Sequence, residues 1–284
     1  YNVRNYNVCD RVVDGAWTPA YPKPEVEKAA LRAVLREVSP DVVMLQEMGG
    51  AAFLEELRQD LSAEGLLYPF SVSMLADDDE RCLCILSKLP FAAILEHKEL
   101  PFTVRGEKMS VRRGLLGVTF LSDAGREWRL YNAHLKSRYG SDKDPLGNRL
   151  EREGEARAVR ERILKDGAEL WLLGGDMNDT PGTGTWRRLC GKGGEKTGVD
   201  LRPLDSNGEC WTYFYSSQDT YERIDMLLCS PLLFPALEAG SAKICDSEKA
   251  MQASDHRLVY VDMELSALEA VSELGNTGAS VTVQ

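Results

Sequence analysis

Glu169-Leu-Trp-Leu-Leu-Gly-Gly-Asp-Met-Asn178 is a short apolar run that ends in two glycines, a carboxylate and an amide. An unbroken apolar run bounded by glycine reads as a strand buried on both faces. The polar cluster at its end then lies where a sheet edge meets solvent, the usual place for groups that bind or react. Taken alone, Gly-Asp-x-Asn is equally well read as a tight turn, because all three residue types favour turns.

Moving outward, the same arrangement recurs. Asp41-Val-Val-Met-Leu reads as a buried strand and ends in Gln46-Glu47. The strand from Trp128 ends in Asn132-Ala-His134, and the opening strand ends near Asn2. Arg223-Ile-Asp225 begins a late strand, and Ser254-Asp-His256 precedes the last one. Each cluster has a bland reading as a surface pair, a helix cap or a turn. Jointly they do not, for two of the three histidines (His97, His134 and His256) fall inside them.

Helical spacing runs from Pro24 through Leu31, Val34, Leu35 and Val38, and a second helix is expected over 51–63. Short apolar runs at 67–74, 81–87, 91–96, 115–121 and 128–135 are read as strands, as are 223–229 and 257–264. A long helix over roughly 148–165 is buried through Ala156, Val159 and Ile163. No repeat or dividing linker appears, so residues 1–265 form one domain and 266–284 a flexible tail. Many strands between helices call for two sheets face to face under helical cover.

A hydrophobic fraction of 43% with 28% charged residues is that of a globular chain, and no run of ~18 apolar residues predicts membrane insertion. The net charge of −11 disfavours non-specific binding to a polyanion. Residues 102–163 run against it, with 14 Lys and Arg to 9 Asp and Glu. That stretch is either a phosphate-facing surface or an Arg-rich solvated helix with pairs such as Glu153–Arg157. Seven cysteines without a C-x-x-C pair indicate neither a zinc site nor a dense disulfide framework, though one or two disulfides stay open. Cys82 and Cys84 are expected on one strand face as small hydrophobes. Tyr1-Asn-Val-Arg-Asn reads as the end of a strand whose beginning lies upstream, and a secreted or periplasmic setting is weakly favoured.

The ordered set of Asn2, Gln46-Glu47, Asn132-x-His134, Gly175-Asp-x-Asn178, Arg223-x-Asp225 and Ser254-Asp-His256 resembles the endonuclease/exonuclease/phosphatase superfamily, in its deoxyribonuclease-I-like branch. The resemblance implies an α/β (α+β) fold: a four-layer αββα sandwich of two mostly antiparallel sheets flanked by helices. It implies a metal-dependent phosphodiesterase, nuclease-like, that hydrolyses phosphate esters by in-line attack of water. Mg²⁺ or Mn²⁺ would be held by Glu47, helped by Asn2 and Asp255. Asp176 would orient or deprotonate water, and Asn178 would bond phosphoryl oxygens. His256 oriented by Asp225, and His134 partnered by Glu80, would share acid, base and phosphate-binding roles. Arg4 stands where the apurinic-endonuclease branch has a metal-binding aspartate, and it becomes a candidate phosphate ligand. Arg113, Lys136, Arg138 and Lys143 are further candidates. The aromatic run Trp211 to Tyr215 either stacks bases or packs alternate rings into a core. A phosphatase or phospholipase C type enzyme acting on inositol phosphates or sphingomyelin is the alternative reading. A non-catalytic binding protein of the same fold is the remote one. The partner expected is a phosphate ester, nucleic acid among the choices, and the chain is taken as a monomer.

Overall fold

The structure, a computed structural model, describes residues 1–13, 15–138, 143–191 and 197–269. The run that opened the sequence reading forms a strand, Trp171–Asp176, buried at every position. Two sheets carry the fold. The first contains β1 (Asn2–Tyr6), β2 (Val42–Met48), β3 (Phe70–Met74) and β4 (Cys82–Ser87), ordered β1-β2-β4-β3. The second contains β5 (Ala93–His97), β6 (Leu115–Leu121), β7 (Glu127–His134), β8 (Trp171–Asp176), β9 (Val199–Asp200) and β10 (Asp225–Cys229), ordered β9-β10-β8-β7-β6-β5. One pair in each sheet is parallel, β1 with β2 and β7 with β8, and the others are antiparallel.

Three apolar cores define four layers. Helices α1 (Glu25–Val38) and α2 (Ala51–Ala63) pack Leu31, Leu35 and Leu57 onto the outer face of the first sheet. Helices α3 (Pro145–Asp166) and α4 (Gly184–Cys190) pack Val159, Ile163 and Trp186 onto the outer face of the second. Between the sheets, Ile85, Val118, Phe120, Trp128 and Leu172 form the third core. Strand pleating sorts the residues, since alternate side chains leave opposite faces. Along β4, Cys82, Cys84 and Leu86 face the helices while Leu83 and Ile85 face the other sheet. Cys9, Cys82, Cys84, Cys210, Cys229 and Cys245 are free thiols.

Helix α3 starts earlier than its apolar stripe. Asp144 caps it by accepting the Gly147 N–H at 2.8 Å, and Gly167 ends it at φ +75°. Its surface pairs are Arg149–Glu153 and Arg157–Glu161 rather than Glu153–Arg157. Two hairpins escaped the sequence reading, Val8–Val13 with Ala16–Pro22 and Pro101–Val104 with Glu107–Ser110. Both are largely solvent-facing, so no apolar run marks them. The strand expected over 257–264 is confined to Val259–Tyr260. Leu268 is fully buried in the inter-sheet core, and 270–284 of the expected tail lie outside the described residues. No helix among the described residues is long and apolar enough to cross a membrane.

Candidate active site

Strand register builds the site. His134 ends β7 opposite Asp176, which ends β8, and Asp176 lies opposite Asp225, the first residue of β10. Directly paired residues on neighbouring strands share a face, so an imidazole and two carboxylates stand in one row. The first sheet adds Asn2 and Glu47, and the loop before Val259 adds Asp255 and His256.

One oxygen, Asp176 Oδ2, gathers the row. Asn2 Nδ2 donates to it at 3.0 Å, His134 Nε2 lies 3.5 Å away and His256 Nε2 3.7 Å away. The other oxygen accepts the Asn178 N–H at 2.8 Å. His256 Nδ1 bonds Asp225 Oδ2 at 2.9 Å, leaving Nε2 to face Asp176. Thr212 Oγ accepts the backbone N–H groups of Ile224 and Asp225, each at 3.1 Å. Ser254 Oγ ties the last motif to the first by donating to the Asn2 carbonyl at 2.8 Å.

Four of the nine non-glycine residues with positive φ among the described residues lie here. Arg4, Asn5, Glu47 and Asn178 all have φ between +50° and +64°, a region that non-glycine residues enter at a cost. The surroundings hold them there. Glu47 Oε2 accepts the Asn5 N–H at 2.9 Å, Arg11 bonds the Asn5 carbonyl, and the buried Lys23 ammonium reaches the Arg4 carbonyl at 3.5 Å. Behind Glu47, a buried amide clasp joins the sheets. Gln46 Nε2 donates to Asn132 Oδ1 at 2.7 Å, and Asn132 Nδ2 donates to the carbonyls of Leu45 and Cys84.

Burial and neighbouring charge set the protonation states. Burial pushes the Asp176 carboxyl up to about 7; Asp225 and Glu47 add to the shift and His256 opposes it. Burial opposes charge on His256, but Asp225, Asp176 and Asp255 outweigh it and push its pKa up to about 10. His134 is held well below the ordinary value by burial, Arg113 and His256, and stays neutral. The His256–Asp225 pair therefore contributes stability that is whole below pH 6.5 and is lost as the pH rises through about 10. Wild-type protein is expected to lose more stability than Asp225→Asn between those two pH values, read as urea midpoints at each end. Equal losses would deny the pair this role.

Glu47, His134, Asp176, Asn178, Asp255 and His256 line a cleft of about 1070 Å³, with Asn2 and Asp225 behind its wall. Its walls carry Arg4, Arg81, Arg112, Arg113, Lys136, Arg138 and Lys143, a basic lining in an acidic protein. A family model for the Endonuclease/Exonuclease/phosphatase family matches residues 1–256. The chain belongs to this family.

Solved structures similar to this family member share its fold at low identity. The human Nocturnin catalytic domain, with bound sulfate, is 14% identical over 91% of this chain and 93% of its own, at a TM-score of 0.59. The Neisseria 3′ phosphatase NExo, bound to a product DNA hairpin, is 16% identical over 84% and 94%, at 0.57. Staphylococcus aureus beta toxin, with bound magnesium ions, is 14% identical over 81% and 82%, at 0.56. No curated protein matches the chain.

In this family member the sequence candidates are brought together with one exception. Glu80 does not partner His134: its carboxylate is 63% exposed and lies 3.4 Å from Arg81. Asp78 is the buried acid of that loop. Its Oδ1 accepts the backbone N–H groups of Glu80 and Arg81, a turn that sends Glu80 outward, and its Oδ2 takes Arg113 at 2.8 Å. His134 Nδ1 is buried without a hydrogen-bond partner among the described residues. Three basic candidates are already engaged: Arg113 by Asp78, Arg138 by Glu222, and Lys136 Nζ by the Ser137 carbonyl at 3.2 Å. Arg4 lies 3.7 Å from Asp255.

Arg81, Arg112, Thr212 and Glu155 were not anticipated. Glu155 on α3 is buried and accepts the backbone N–H groups of Arg112 and Lys136, fixing two basic segments of the wall. Burial pushes its carboxyl up to about 7 against those bonds. An acid beside Ala156 on the buried stripe was the signal available for it.

Proposed function

We propose that this protein is a divalent-metal-dependent phosphodiesterase of the nuclease type. The convergence of Asn2, His134 and His256 on Asp176 Oδ2, with His134, Asp176 and His256 lining a basic cleft, carries the reading. Hydrolysis needs a water aimed in line at phosphorus, with charge stabilised on the leaving oxygen. Asp176 titrates near neutrality, as suits a base that takes the proton of the attacking water. Asn178 uses one amide N–H on the Leu135 carbonyl at 3.1 Å and keeps the other for a phosphoryl oxygen. His256, cationic and oriented by Asp225, faces the phosphate and supplies the proton for the leaving group. Neutral His134 donates to a non-bridging oxygen.

No three of His, Cys, Asp and Glu among the described residues form a closed metal chelate. The donor set instead fits a hard cation that keeps most of its water. Glu47 Oε1 lies 3.9 Å from His134 at the cleft wall, and Glu47 and Asp225 press on the Asp176 charge, a repulsion a cation relieves. Glu47 would hold Mg²⁺ or Mn²⁺, with Asn2 and Asp255 as further oxygen donors. The bound ion would offset charge growing on the leaving oxygen.

The test offers plasmid DNA, single-stranded RNA, bis-p-nitrophenyl phosphate and p-nitrophenyl phosphate with Mg²⁺ or Mn²⁺. Metal-dependent cutting of the polymers or the diester, stopped by chelation, is expected. Turnover of the monoester alone would make the protein a phosphatase. Silence on all four would overturn the nuclease reading in favour of lipid or inositol phosphates.

A further inference from the structure

The aromatic run singled out in the sequence stands against the catalytic histidine. Tyr213 meets His256 with centroids 4.7 Å apart and planes tilted by 43°, and Tyr215 follows at 6.3 Å with its ring within 19° of parallel to that of Tyr213. Both rings line the cleft, and Tyr215 is 41% exposed. An imidazole, a ring and a second ring thus form a ladder leading outward from the site.

The hairpin that carries the ladder is firmly held. Its strands, Tyr213–Tyr215 and Thr220–Glu222, pair in register. Phe214 donates its N–H to the Asp255 carbonyl at 3.0 Å, and Arg257 donates to the Thr212 carbonyl at 2.7 Å. On the opposite face Phe214 stacks on Tyr221 at 4.7 Å, Tyr221 meets Trp211 at 4.9 Å, and Arg257 lies 4.2 Å over Trp211. On that face the rings pack on one another and Tyr221, 55% exposed, lies outside the cleft, while the other face presents Tyr213 and Tyr215 to it. A half-exposed tyrosine ring at the wall of a basic cleft matches a flat π-system attached to a phosphate bound there. A saturated inositol head group offers no such face, and a choline ammonium, which an aromatic ring would attract, is opposed by the basic lining of the cleft. A base within a duplex has both faces covered by its neighbours, so the base must be unpaired and splayed from its stack.

We infer that Tyr215 is a specificity-determining residue that stacks on an unpaired nucleobase next to the scissile phosphate, making single-stranded nucleic acid the preferred substrate. This rests on the nuclease reading above. The test uses a single-stranded oligonucleotide and its twin with one abasic nucleotide, with Mg²⁺, and cleavage is read phosphate by phosphate for wild type, Tyr215→Leu and Tyr215→Phe. For wild type, kcat/KM at one phosphate beside the gap should fall about 10-fold or more relative to the intact strand. Tyr215→Leu should bring that ratio near one, and Tyr215→Phe should restore it. A wild-type ratio of one, or a ratio unchanged in Tyr215→Leu, overturns the stacking role while the nuclease reading stands. If no oligonucleotide is cut, the nuclease reading falls and this inference with it.

Discussion

Asp176→Asn is expected to slow metal-dependent phosphodiester hydrolysis by about 10³-fold while the protein stays folded. The substitution keeps the shape of the side chain and removes its capacity to take a proton from water. Its effect on stability is the balance of two opposed terms. Asp176 accepts from Asn2 Nδ2 through one oxygen and from the Asn178 N–H through the other, whereas asparagine has one carbonyl oxygen. One buried donor loses its partner, at about 1–3 kcal/mol. Against this, the raised carboxyl pKa means that charge at this position is unfavourable above pH 7, and asparagine removes that penalty. The melting temperature should move by only a few degrees. Rates and thermal melts on the same preparation check both halves. A fall of less than tenfold in a folded protein would remove Asp176 from the chemistry, and a collapsed melt would make its role structural.

Gly175→Ala is expected to be the most destabilising single methyl group in the site. Gly175 pairs with Ala133 on one side and Met226 on the other, at φ +141°. A Cβ here would lie 1.9 Å from the Ala133 carbonyl oxygen, a backbone atom that cannot swing away. Overpacking and a φ closed to L-residues together cost about 3 kcal/mol or more, which lowers the melting temperature on the order of 10 °C in a domain of this size. Relief of the clash would separate β7 from β8 at the step before His134 and Asp176, so activity should fall with stability. A melt within about 2 °C of wild type, scaled the same way, would contradict the close approach of these strands.

Much of this architecture was local and therefore legible. Unbroken apolar runs marked β2, β4 and β8 because a strand covered on both faces has no polar position. The 3.6-residue spacing marked α1 and α3, and small turn-forming residues marked where β8 ends. The two histidines of the cleft stood out because histidine is scarce in this chain and both occurred in strand-end clusters. Solvent-facing hairpins such as Val8–Pro22 left no comparable trace, since nothing in their burial enforces a pattern.

The sequence by itself determined which strands are buried, in what order the polar clusters occur, and that these belong to one family. Only the tertiary structure decided which groups touch. Asp78 and Glu80 are two residues apart and chemically alike, yet one is buried against Arg113 and the other faces solvent, because a turn through Asp78 directs the chain. Arg138 reads as a free phosphate ligand until Glu222, 84 residues away, is found beside it. The shift of Asp176 likewise arises first from burial, and that of His256, against the effect of burial, from the carboxylates of Asp225, Asp176 and Asp255 that the fold brings around it. Periodicity is written along the chain, whereas desolvation and Coulomb interaction depend on distances through space.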